Sequence, residues 1–220
     1  MFKQLSILVL TYCIFSCQTK TGGTYADDLQ GCLTNSDIII LNKATSHFEN
    51  KLTELYGNED INQNYLMYLS EMGAIPFEPD FPSDFFLNPK STRIMKELKQ
   101  NGTYRKIWVK FVEEENENDE EIPITTYSGY EEPERETFDI DVLNKNGSYL
   151  KCMLSKNDNK TVTDILERQA DLGDINTLMI AAVLKENMKK SDFENGLNKV
   201  VVAIGFYYDF VNIISKIKKK

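Results

Sequence analysis

The chain is predicted to fold as an α+β protein, with helices flanking a small antiparallel β-meander in one domain. Three observations predict this. Apolar residues recur every three or four positions over residues 36–100 and again over 161–217, the period of a helix face. Between them, over 104–154, the period falls to two, the mark of half-buried strands. The composition, 41% hydrophobic and 27% charged over 220 residues, suits one substantial folded body and argues against disorder.

The N-terminal stretch MFKQLSILVLTYCIFSC stands apart from that body. Lys3 is the only charge before an apolar run from Leu5 to Phe15. A helix needs about twenty residues to cross the hydrocarbon, and this run is too short. A short positive start followed by a short apolar run reads as a secretory signal over residues 1–16. The run ends Ile14-Phe15-Ser16-Cys17, and this resembles the lipobox of bacterial lipoproteins, with Ile14, Ser16 and Cys17 at the matching positions. The resemblance covers only the first seventeen residues; it implies cleavage before Cys17 and acylation of that cysteine. Several acyl chains on one residue would hold a soluble domain to a lipid bilayer. The competing reading is an ordinary signal peptide, cut nearer Thr19 or Gly22, in which the cysteine is incidental. The residue after the cysteine is Gln18, and acidic residues are absent just beyond it. By analogy with lipoprotein sorting, this implies the periplasmic face of an outer membrane.

Small polar residues follow Cys17, so residues 17–32 are expected to be the lipidated cysteine and a flexible tether, with the domain at 33–220. From Ser36 to Tyr56 the residues Ile38, Leu41, Phe48, Leu52 and Leu55 form one helix face, with Ser36 as cap and Gly57 as stop. A second helix is expected over Asp60–Met72, ended by Gly73. In GAIPFEPDFPSDFFLNP, residues 73–89, four prolines alternate with Phe77, Phe81, Phe85 and Phe86. Proline fixes φ and lacks a donor, so this is extended loop whose rings form a lid on the core in preference to a recognition surface. Asn88-Pro89 opens a third helix that ends near Asn101-Gly102.

The strands come next. Ile107, Val109 and Phe111 are expected to point inward, as are Phe138, Ile140 and Val142, and then Leu150, Cys152 and Leu154. Asn144-Lys145-Asn146-Gly147 supplies a hairpin turn. A weaker strand over Ile122–Tyr130 would complete a four-stranded meander. Helices then return at Thr161–Leu172 and Thr177–Met188. Ser191 and Glu194 have capping-box spacing for a last helix running to Ile217. Its stretch VVVAIGFYYDFVNII, residues 200–214, is apolar nearly all round and belongs at the buried centre. Gly205 there costs about 1 kcal/mol relative to alanine, which suggests a close backbone approach.

Charge and chemistry narrow the function classes. A formal net charge of −9 disfavours nucleic acid as a partner of the domain. The run EEENENDEE places Glu113, Glu114, Glu115, Glu117, Asp119, Glu120 and Glu121 together without the alternation or turn glycine of a calcium loop. It reads as a solvated loop whose field could steer a basic protein partner. Cys32 and Cys152 could form a disulfide in an oxidising envelope, and Cys152 equally suits a free buried cysteine. With one histidine they do not make a zinc site, and no metal or other cofactor is implied. His47 is expected to be solvated. No serine elbow exists for a hydrolase triad, and Tyr25-Ala26-Asp27-Asp28 is a chance match to a polymerase tetrapeptide. Residues 170–182 resemble an ankyrin turn and helix, but no repeat period supports that fold.

Acid–base work remains open to Glu131, Glu132, Glu134 and Glu136, or to Asp209. A carboxylate on so apolar a helix must meet a partner, a cavity or solvent, and desolvation would raise its pKa. No complete catalytic motif is present. The leading expectation is therefore a non-catalytic, membrane-anchored lipoprotein that binds a protein, in one form an immunity-like protein that neutralises a toxin. The alternatives are an envelope hydrolase using carboxylates, and a glycan- or small-ligand-binding module built around Trp108.

Overall fold

In the computed structural model, helix α1 (Asn35–Tyr56) begins where the Thr34 hydroxyl accepts the Asp37 N–H and the Asp37 carboxylate accepts the Thr34 N–H. This capping box displaces Ser36 as the expected cap, because Thr34 and Asp37 have the three-residue spacing the motif requires. The structure describes residues 23–57, 60–77, 80–110, 141–172 and 176–217. Among them the fold is α+β but mostly helical, with one two-stranded antiparallel sheet.

Helix α2 (Ile61–Met72) is capped by Asp60 and ends at Gly73. A Cβ on Gly73 would lie 2.6 Å from the Ala182 backbone, so α2 and the later helix α7 (Thr177–Asn187) meet at a separation that only glycine permits. The proline-rich loop then folds down as a lid. Phe81 stacks on Phe85 with centroids 4.7 Å apart, Phe86 packs edge-on, and Phe85 is buried. The Tyr207 hydroxyl donates to the Phe85 carbonyl at 2.8 Å and pins the lid to the C-terminal helix. Helix α3 (Pro89–Gln100) has proline at its first turn and Asn88 as its cap.

The strand region departs most from expectation. Gly102, at φ +81°, turns the chain into a short helix α4 (Thr103–Ile107), and β1 (Trp108–Lys110) starts only afterwards. Its phase is opposite to that expected: Trp108 is buried at 4% exposure, while Val109 is 39% exposed. Strand β2 (Asp141–Leu143) pairs with it antiparallel, Lys110 opposite Asp141, and again the polar Asp141 is the buried residue. Asp141 points inward because Tyr104, Asn212 and Lys216 converge on its carboxylate. Among the described residues, two strands of the expected meander form a two-stranded ribbon; the strand expected at 122–130 and the residues Phe111, Phe138 and Ile140 lie outside the described residues.

Residues 148–154 are not a strand but part of helix α5 (Ser148–Lys156). The buried side chains are Tyr149, Leu150, Cys152 and Met153, a helical spacing of which the 150/152 alternation is a subset. Asn144–Gly147 accordingly is not a hairpin but the turn between β2 and α5. Gly147 is needed there for contact, since a Cβ would lie 2.1 Å from the Lys106 carbonyl.

Helix α6 (Lys160–Leu172) leads to α7, whose first turn is capped by Asn176. The capping box expected at Ser191 is absent. Residues Lys190–Glu194 form a 3₁₀ turn that buries Phe193 in a stack on Tyr65. The last helix starts at Asn195, which caps α8 (Gly196–Val202). It continues through a π-helical segment (Ala203–Tyr208) into α9 (Asp209–Ile217). By length and composition this 22-residue stretch could cross a membrane, but 61% of its most apolar window is buried against the other helices. Val200, Val202, Tyr207, Tyr208 and Val211 are part of the core.

Part of the expected tether is also built into the fold. Residues 27–29 form a 3₁₀ turn, and Ala26 and Leu29 are fully buried. The Tyr25 hydroxyl donates to Glu49, Lys199 pairs with the same carboxylate at 2.9 Å, and the Ala26 N–H donates to Asn42 at 2.7 Å. A disulfide joins Cys32 to Cys152 on α5. Residues 25–32, expected to be tether, are therefore part of the folded body, because Ala26 and Leu29 find apolar partners that a local reading cannot see.

Candidate functional site

The C-terminal helix does not fill the space between itself and the β-ribbon. A cavity of about 240 Å³ lies there, bounded by Trp108 and Asp141 from the ribbon, Tyr149 from α5, Leu166 from α6, Thr177 and Leu178 from α7, and residues 201–213. Its walls are mostly apolar. For scale, an apolar cavity of roughly 150 Å³ accommodates benzene.

Two features of the helix create the opening. The π segment widens the turn, an irregularity found often at functional sites. Gly205 sits in this segment on the cavity wall, and a Cβ there would meet nothing within 4 Å. The close approach expected at Gly205 is thus absent; the glycine faces open space.

Asp209 begins α9 immediately after the π segment and also lines the cavity. Its carboxylate accepts the Thr177 hydroxyl at 3.3 Å. Desolvation raises its pKa to about 7, and the Asp141 charge adds to the rise; hydrogen bonding from Thr177 and Trp108 and the charge of Lys216 oppose it. Asp141 is the counter-case. Burial acts to raise its pKa, yet Lys216, Tyr104 and Asn212 outweigh this and hold it below the usual carboxylate range. Its Oδ2 accepts Tyr104, Asn212 at 2.7 Å and Lys216 at 2.6 Å. Two carboxylates thus share one cavity with different environments: Asp141 is engaged by three donors, and Asp209 is only weakly bonded.

The other sequence candidates fall elsewhere. His47 is buried, not solvated, and its Nδ1 lies 2.8 Å from the Tyr208 hydroxyl. Burial lowers its pKa to about 4, helped by Lys90 and Lys51, so the ring is neutral at neutral pH. Cys17, the acidic run at 113–121 and the glutamates at 131–136 lie outside the described residues. Among the described residues, no three His, Cys, Asp or Glu side chains converge on a point that could hold a metal ion. Sequence reasoning singled out Asp209 and Trp108 separately, but nothing in it brought them to one cavity. Thr177 and Gln169 were missed, because isolated polar residues on helices carry no periodic signal.

Compared with protein-family models, with curated proteins and with solved structures, the chain finds no match.

Proposed function

We propose that this protein is an envelope lipoprotein, acylated at Cys17, whose single domain holds a small and mostly apolar ligand in the cavity beside Gly205. One observation carries the ligand reading: a mostly apolar cavity, lined by buried and half-buried side chains, opens at the edge of the core with a carboxylate on its wall. Protein interiors are packed like organic crystals, and small-molecule sites are concave, apolar and furnished with few polar groups. The lipobox-type leader supports the anchor. The domain begins at Tyr25, so the tether from Cys17 is short and would keep the cavity near the bilayer surface.

The test uses 2-phenylethanol as a probe of suitable size, titrated into the protein by calorimetry. Wild type should bind it, and Gly205→Phe, whose ring would occupy the cavity, should not. Equal binding by a folded Gly205→Phe variant, or no binding by either, would overturn the reading.

A second reading has its own support in the seven carboxylates at positions 113–121, which would attract a basic protein partner. Ribbon residues Lys110 and Asp141 flank the segment that carries them. Such a complex should weaken at high salt and on neutralising those residues; a salt-insensitive complex would count against it.

A further inference from the structure

We propose that the cavity is selective for small organic cations, with an apolar or aromatic body in the pocket and a protonated amine paired with Asp209. This rests on the ligand-binding reading above and specifies the chemistry of the same site.

The argument starts from the charges on the wall. Among the described lining residues two are carboxylates, and none is lysine, arginine or histidine. Lys216 approaches from α9, but its Nζ lies 2.6 Å from Asp141 and offsets that carboxylate first. Asp209 keeps acceptor capacity: a carboxylate offers about four lone-pair directions, and its donors are only the Trp108 side chain and the Thr177 hydroxyl, the latter at the long distance of 3.3 Å. A carboxylate in an apolar wall is costly unless a positive charge meets it.

Anions fit this cavity poorly, because a ligand carboxylate would face Asp209 and Asp141 together. Neutral ligands fit the apolar walls but leave Asp209 without a counter-charge. A cation supplies one. Trp108, Tyr149, Phe206 and Phe210 also line the space, and aromatic faces attract cations through their quadrupole. A primary amine can donate to Asp209 while its carbon skeleton lies against these rings.

The experiment compares three probes of similar shape: 2-phenylethylamine, 2-phenylethanol and 3-phenylpropanoate. Each is titrated at pH 8 into the full chain isolated in detergent, and into Asp209→Asn and Gly205→Phe. The amine should bind wild type about tenfold or more tighter than the alcohol, the scale of a charge-assisted hydrogen bond, with the carboxylate weakest. In Asp209→Asn the amine should fall to the affinity of the alcohol, while the alcohol itself changes little. In Gly205→Phe all binding should be lost.

If the alcohol matches the amine, or the carboxylate matches either, the charge selectivity is refuted while the cavity remains a ligand site. An amine preference that survives in Asp209→Asn refutes the assignment to that residue. Amine binding that survives in Gly205→Phe places it outside this cavity and refutes the proposal. If none of the three binds wild type, the ligand-binding reading fails and the inference with it.

Discussion

Asp209→Asn should make the protein more stable, and increasingly so as the pH rises. The folded-state pKa of about 7 lies above the ordinary value of 3.8. Between these values the folded state binds more protons than the unfolded state, so this group lowers stability as pH rises from about 4 through 7. One pKa unit corresponds to about 1.4 kcal/mol, and the full shift is therefore worth about 4 kcal/mol above pH 7. Between pH 5 and pH 8 alone the expected loss is about 2 to 3 kcal/mol, and solvent reaching the half-buried carboxylate reduces it towards about 2.

Asparagine has nearly the same shape and no charge, so the variant lacks this term. The wild-type curve by itself is ambiguous. His47, held neutral with its pKa near 4, makes stability rise with pH between about 4 and 6.5, the opposite slope. Asp37 and Asp141, both lowered, contribute stability that is present above the ordinary carboxylate pKa and lost in acid. The difference between wild type and Asp209→Asn cancels these common terms. Denaturant unfolding at pH 5 and at pH 8, followed by the fluorescence of the single Trp108, measures that difference. A gain by Asp209→Asn that grows by about 2 kcal/mol over this range is expected. Parallel curves, differing by less than about 0.5 kcal/mol between the two pH values, would refute the desolvated placement of Asp209.

Three further outcomes follow from named contacts. Gly205→Ala should stabilise the protein by about 1 kcal/mol in the same unfolding assay, because a helix former replaces glycine where a methyl group meets open space. Destabilisation would mean that the wall is closed there. The single His47 should give an imidazole proton NMR signal that does not titrate between pH 5.5 and 8; a midpoint near 6.5 would contradict its burial against Tyr208. Replacing Cys32 and Cys152 by serine releases a link between residues 120 apart, for which chain-entropy estimates give about 4 to 5 kcal/mol. The denaturation midpoint should fall markedly, and proteolysis should begin between Tyr25 and Leu33; an unchanged midpoint would refute a structural role for the bond.

Local physics made the helices legible. Gly57, Gly73, Asn88-Pro89 and the apolar faces of α1 to α3 and α6 to α9 act over three or four residues, the range a sequence displays directly. The ribbon was read in the wrong phase because tertiary partners set it. Asp141 turns inward only because Lys216 and Asn212 come from α9, more than seventy positions away, and Tyr104 comes from α4. In 148–154 a helix and a strand bury overlapping subsets of the same residues, and Tyr149 and Met153, both buried out of phase with the strand, distinguish them. The site was half legible. A charge inside an apolar helix announced Asp209, and a glycine inside the same helix announced Gly205, but the meaning of both depended on a gap between elements.

That gap is the reason to place function here and not at the better-packed networks elsewhere. The stretch 196–217 has the composition of a core helix, and most of it packs as one. Over residues 203–209 it then departs from what stability alone would favour three times in succession: a π turn, a glycine facing open space, and a carboxylate in an apolar wall. Alanine and asparagine would remove two of these costs, about 1 kcal/mol at Gly205 and about 2 kcal/mol or more at Asp209. The buried Asp37, by contrast, is met by Thr34, Thr103 and Lys106, and Asp141 by three donors of its own. Where the chain buries an acid for structural reasons, it surrounds that acid with donors. Asp209 alone among these three is left with spare acceptors beside empty volume. Destabilising choices concentrated at one cavity are the pattern expected when stability is traded for binding.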